Sequence, residues 1–192
     1  MLNKKEFEDM RKEYHDNDVL REDLIKRCRD LLKTSKQLIY AVHKEDLKSA
    51  EQYSKSALQI TKELKEIARK SPQLEFSGAY REAFAEYIEA ELYHHFVKNK
   101  RIPSYKTLGV DSESYLMGLS DLTGELVRKA VFLAGKGKVN EVLQIRDLID
   151  DIYGEMLGFD LRNSELRKKF DSIKYNLRKL EDLVLDLKLK KR

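Results

Sequence analysis

Apolar residues recur along this chain at intervals of three and four, the spacing that lines one face of a helix. The first tract runs from about Leu2 to His43. Phe7, Met10 and Tyr14, then Leu24, Cys28, Leu31, Leu38 and Val42, lie on its stripe. Asn17, Arg21 and Ser35 interrupt the seam; polar residues in such places act as register devices or face a second subunit. Asp16-Asn17-Asp18 is a point where the tract is expected to break or kink, because these side chains compete for backbone hydrogen bonds. A second helix is expected over about Lys44 to Lys70, with Leu47, Ala50, Ala57, Leu64 and Ala68 inward. Ser71-Pro72 ends it, since a residue before proline avoids the α region. A third covers about Leu74 to Lys98, and NKRIPSYKTLGV then reads as a loop with a basic beginning at Lys98, Lys100 and Arg101. The fourth helix opens near Asp111 or Ser112 behind a capping side chain and closes at Gly135 and Gly137. The fifth spans about Asn140 to Leu157 and stops at Gly158. The sixth starts near Asn163 or Ser164. Its seam, Leu166, Phe170, Ile173, Leu177, Leu180, Val184 and Leu187, alternates steps of four and three, a heptad pattern that packs along a partner in coiled-coil fashion.

No stretch alternates with the period of two that marks a strand. Long helices with short connections predict an all-α, antiparallel bundle of six to seven long helices, one domain spanning residues 1–192. Composition agrees: two prolines and eight glycines leave most of the chain free to be helical. The net charge of +4 is too small to imply nucleic-acid binding by itself. Cys28 is the lone cysteine, so no internal disulfide forms and a reducing cytoplasm is expected. The N-terminus has no apolar signal core, and no run of 18 apolar residues exists to span a membrane.

Two stretches stand out against a background of 38 lysines and arginines. Glu82 to Val97, EAFAEYIEAELYHHFV, contains neither; within it Glu86 and Glu89 are three apart and share a helix face. Tyr115 to Val127, YLMGLSDLTGELV, carries only Asp121 and Glu125, four apart, as charges. Gly118 and Gly124 lie inside that helix at a cost of up to about 1 kcal/mol each against alanine, which suggests close approach of another helix or a ligand. If the third and fourth helices pack together, four carboxylates converge. Hard oxygen donors of this kind suit Mg2+ or Mn2+, and such ions activate water and offset charge on a phosphodiester. The same residues also fit ordinary solvated charges, with Asp121 or Glu125 paired to Arg128. A di-iron bundle would need two Glu-x-x-His motifs, and Glu91 to His94 is the single one present. His94 and His95 read as packing or supporting residues, and Cys28 as a core residue.

YLMGLSDLTGELVRKA (Tyr115 to Ala130) resembles the signature of the translin family. FAEYIEAELYHHF (Phe84 to Phe96) resembles the matching upstream helix of its Trax-like branch. The resemblance covers essentially the whole chain, and DLTGEL, Asp121 to Leu126, is its most specific piece. It implies an all-α subunit that assembles into a hollow, octameric homo-oligomer and binds RNA, and in translin itself single-stranded RNA and DNA. In the Trax-like branch it implies a divalent-metal-dependent endoribonuclease site at Glu86, Glu89, Asp121 and Glu125, as both metal ligands and catalytic groups. Arg128 and Lys129 beside that set, and Lys98 and Arg101 in the loop, are the candidate RNA contacts; each also fits a solvated charge. The loop before the DLTGE helix, about Asn99 to Val110, is shorter than in eukaryotic Trax, which implies a compact, self-sufficient, archaeal-type homologue. The alternative within the same family is a translin-like shell that holds nucleic acid without cutting it.

Overall fold

The computed structural model describes residues 2–162 and 164–189. Among them the secondary structure is helical, with no strand. α1 (Lys4–His43) is followed by α2 (Leu47–Lys70), a 3-10 turn (Pro72–Phe76) and α3 (Gly78–Asn99). Then come a one-turn α4 (Tyr105–Leu108), α5 (Ser112–Gly135), α6 (Val139–Leu157) and α7 (Glu165–Leu189). α1 packs on α2 and α3, α3 on α5, and α5 on α6 and α7, which also pack on each other. The three short connections, α1 to α2, α5 to α6 and α6 to α7, fold neighbours back on one another as an antiparallel bundle.

The helix starts follow their caps. Asp46 accepts from the Ser49 amide at 3.1 Å and Asp111 from the Ser114 amide at 2.8 Å. Gly137 turns the chain after α5 with φ +72°. The α7 start is Glu165; the alternative start at Asn163 falls outside the described residues. α4, capped by Ser104 and closed by Gly109 at φ +64°, is an addition within the segment read as loop.

Three expectations are corrected. α1 runs unbroken through Asp16-Asn17-Asp18: the Asn17 side chain accepts from Ser71 Oγ at 3.1 Å and so leaves its own backbone alone. The first turns of α1 are not covered, and Phe7 and Tyr14 are 43% and 80% exposed. At 40 residues α1 is about 60 Å long, against about 36 Å for α2, so its N-terminal turns overhang the bundle. Leu47 begins α2 facing solvent, while Ala50, Ala57, Leu64 and Ala68 are buried as expected. The heptad seam of α7 packs along partners as expected, and these are α5 and α6: Leu166, Phe170, Ile173, Leu177, Leu180 and Val184 are all buried.

α3 and α5 form the middle of the bundle. α3 is buried on most of its circumference, which explains why lysine and arginine are missing from Glu82 to Val97: a flanked central helix has little solvated surface for them. The two interior glycines differ. A Cβ on Gly118 would stand 2.6 Å from Ile88 Cγ2 and 2.9 Å from the Ala85 carbonyl oxygen, so this glycine is where α3 and α5 approach most closely. A Cβ on Gly124 would meet only Asn176 Nδ2, at 4.0 Å, so the close approach expected there is absent. Gly118→Ala is therefore expected to destabilise the fold by about 1–3 kcal/mol in denaturant titrations. Gly124→Ala should be neutral or stabilising by up to about 1 kcal/mol.

Candidate metal and nucleic-acid site

The Gly118 contact places Ala85 and Ile88 of α3 directly against α5. Their helical neighbours Glu86 and Glu89 are thereby held beside Asp121 and Glu125. The electrostatics record the convergence. Burial raises the Glu89 carboxyl to about 9, and the nearby charges of Asp121, Glu86 and Glu125 push the same way against Lys169. Glu86 is raised by burial too; Lys36 opposes the shift, and Asp121 and Glu125 add to it. Asp121 is raised because burial outweighs the hydrogen bond and charge of Lys169. Glu125 moves the other way: the hydrogen bond from His43 lowers it despite burial, with the charges of His43 and Arg128 helping.

Two cations and a histidine frame this acidic wall. Lys169, from α7, donates to Asp121 Oδ2. His43, the last residue of α1, meets Glu125 Oε2 through its Nε2, and its Nδ1 lies 3.0 Å from the Tyr93 hydroxyl. Arg128 Nη1 approaches the same Glu125 oxygen at 3.7 Å and is largely exposed. Neither Lys169 nor His43 carries a local sequence signal for this role, since they sit 48 and 82 positions from their partners. Among the described residues, no three His, Cys, Asp or Glu side chains are close enough together, as they stand, to hold an ion. Asp121 and Glu125 are drawn toward protein cations instead.

The basic candidates separate. Arg128 borders the carboxylates. Lys129 is only 8% exposed and faces Glu45 at 3.4 Å. Lys98 donates to Glu51 at 2.8 Å; nine residues from Glu89 is two and a half turns, so it lies on the opposite face of α3. Arg101 is exposed in the loop after α3. A cavity of about 1130 Å³ opens beside the site. Its wall is mixed in charge, with Lys65, Arg69, Arg81 and Lys169 set among more numerous acids that include Glu86 and Asp121.

Residues 19–191 match the translin family. The chain is 27% identical over 157 residues to an uncharacterized protein of Methanocaldococcus jannaschii, covering 80% of this chain and 70% of that one. It is 24% identical to translin-associated protein X of Mus musculus, over 88% of this chain and 72% of the relative. The match to Gallus gallus translin is 35% identical over 81 residues and spans only 35% of that protein. Among solved structures, apo-NeC3PO superposes with a TM-score of 0.89 at 29% identity, covering 97% of this chain and 98% of that one. AfC3PO in its complex with duplex RNA gives 0.88 at 23% identity, covering 96% and 97%. With a family match over nearly its whole length and a helical bundle to go with it, the chain belongs to the translin family.

Proposed function

We propose that this chain is a metal-dependent endoribonuclease of the Trax type, acting on RNA inside a homo-oligomeric shell, an octamer by the family resemblance. One observation carries the reading. Four carboxylates of two central helices lie near enough to act on one another: burial first, and the charges of Asp121, Glu86 and Glu125 after it, raise the Glu89 carboxyl to about 9. That donor set fits a hard divalent cation such as Mg2+ or Mn2+. Glu86, Glu89, Asp121 and Glu125 would hold it. When bound, such an ion offsets charge developing on a phosphodiester and acidifies water. The chain's own groups do the rest. To serve as a ligand, Glu89 would have to release its proton to solvent. Asp121 and Glu125 each keep one oxygen on a protein partner, Lys169 or His43, and have a second oxygen to offer. Arg128, largely exposed at the edge of the carboxylates, is the group placed to meet a phosphate. The relative solved with duplex RNA and the likeness to translin-associated protein X support RNA as the substrate class.

A second reading, a shell that holds single-stranded RNA or DNA without cutting it, is favoured by one feature: Asp121 and Glu125 already have protein partners. Labelled RNA incubated with purified protein separates the two. Cleavage with Mg2+ and none with EDTA is expected; binding without cleavage in Mg2+ and in Mn2+ would establish the second reading. Affinity should fall steeply with salt as phosphate contacts release counterions, and a flat response would remove the basic residues from the interface.

A further inference from the structure

Glu125 is reached from three helices at once. His43 ends α1, Tyr93 lies in α3 and Glu125 in α5, and their side chains form one hydrogen-bonded line. Tyr93 is fully buried and His43 nearly so. The tautomer follows from what each group has to offer. His43 Nδ1 is the hydrogen-bond partner of the Tyr93 hydroxyl, and a buried phenol that only accepted would leave its hydrogen unsatisfied. With the ring neutral Tyr93 therefore donates to Nδ1, and with it charged Nδ1 donates to the phenol; in both Nε2 keeps its hydrogen. Nε2 donates it to Glu125 Oε2. Arg128 approaches that same oxygen. Among the described residues no hydrogen bond or ion pair reaches Glu125 Oε1.

We infer that His43, with its ring fixed by Tyr93, is a positioning residue that holds Glu125 by one oxygen and leaves the other presented to a cation. A histidine serving only to tie helices together would do so through a packed contact. Here His43 meets Glu125 of α5 through a polar hydrogen bond, while α1 takes most of its packing from α2 and α3. Carboxylates that ligate metals depend on hydrogen bonds behind them, and removing such a partner typically weakens metal affinity about 10- to 100-fold. The inference rests on the metal reading above, and its test distinguishes the two.

Mn2+ binding to RNA-free protein, measured by calorimetry and by electron paramagnetic resonance, provides the readout. His43→Ala is expected to weaken Mn2+ binding about 10- to 100-fold, with melting temperature and oligomer size close to wild type. Tyr93→Phe, which deletes one hydroxyl, should weaken it in the same direction and by less. His43→Gln, whose amide nitrogen reaches toward the place of Nε2, should restore affinity to within a few-fold of wild type. Unchanged Mn2+ affinity in His43→Ala, or a glutamine no better than alanine, overturns the positioning role. If His43→Ala does not fold, Tyr93→Phe decides, and unchanged affinity in it is equally fatal. A wild-type protein that binds no Mn2+ removes the metal reading and this inference together. Binding lost in Glu125→Ala but intact in His43→Ala removes the inference alone.

Discussion

Alanine at Glu125 is expected to abolish Mg2+-dependent RNA cleavage, by about 1000-fold or more, without changing oligomer size. The size of the effect comes from what one carboxylate does for a bound divalent ion. Charge stabilisation by such an ion is worth several kcal/mol in the transition state, and each 1.36 kcal/mol is tenfold in rate. The fold should tolerate the change. Glu125 is only partly buried, and its partners are His43 at the end of α1 and the exposed Arg128. Asp121→Ala should match it in activity, while also releasing Lys169 from its hydrogen bond. Single-turnover cleavage of labelled RNA, with size-exclusion chromatography on the same samples, is the measurement. Full activity in either variant would remove the carboxylates from the chemistry.

Glu89→Gln should stabilise the metal-free protein, and should do so increasingly as pH rises. Glu89 is raised from the ordinary 4.5 to about 9 by burial and by three neighbouring carboxylates. A carboxyl raised by folding favours the folded state fully below its unfolded value, and that contribution is lost as pH climbs toward the folded one. Glutamine is always neutral and loses nothing. The two proteins should therefore melt together below about pH 4.5 and diverge from there up to about pH 9. Near pH 7.5 the gap is expected to be roughly 2–4 kcal/mol, at 1.36 kcal/mol per unit of pH. That corresponds to about 5–10 °C in melting temperature for a chain of this length. Mg2+ should raise the melting temperature of the wild type at alkaline pH, where it helps Glu89 to ionise, and leave Glu89→Gln nearly unmoved. Thermal melts from pH 4 to 9, with and without Mg2+, check both parts. Parallel pH curves for the two proteins would show that Glu89 does not carry the strained charge.

The half of the candidate carboxylate cluster that lies in local spacing was readable from the sequence. Glu86 with Glu89, and Asp121 with Glu125, sit three and four apart, and helix geometry alone puts each pair on one face. The absence of lysine and arginine around the first pair marked α3 as unusual, though the structure gives that absence a plainer origin in the helix being enclosed on most sides. His43 and Lys169 were not readable, because the bundle brings them in from α1 and α7 and no short-range pattern reports such a meeting. Periodicity failed differently at the start of α1. Phe7, Met10 and Tyr14 keep helical step with the buried residues further on, but step says only which face they share. Whether anything covers that face depends on the lengths of the helices alongside, and α2 is too short to reach it. Gly118 and Gly124 looked alike in sequence for the same reason: the difference between them is the position of α3.

The contact at Gly118 also sets a mechanical limit. With backbone against side chain and no Cβ between them, α3 and α5 have no room to bring Glu86 and Glu89 closer to Asp121 and Glu125. Under the metal reading, a smaller cation could therefore not be accommodated by drawing the helices together. The adjustment has to come from the side chains, and three of the four are glutamates, whose extra methylene gives each an additional torsion. The helices set the nearest approach, and any fit to an ion would lie in the reach of those arms.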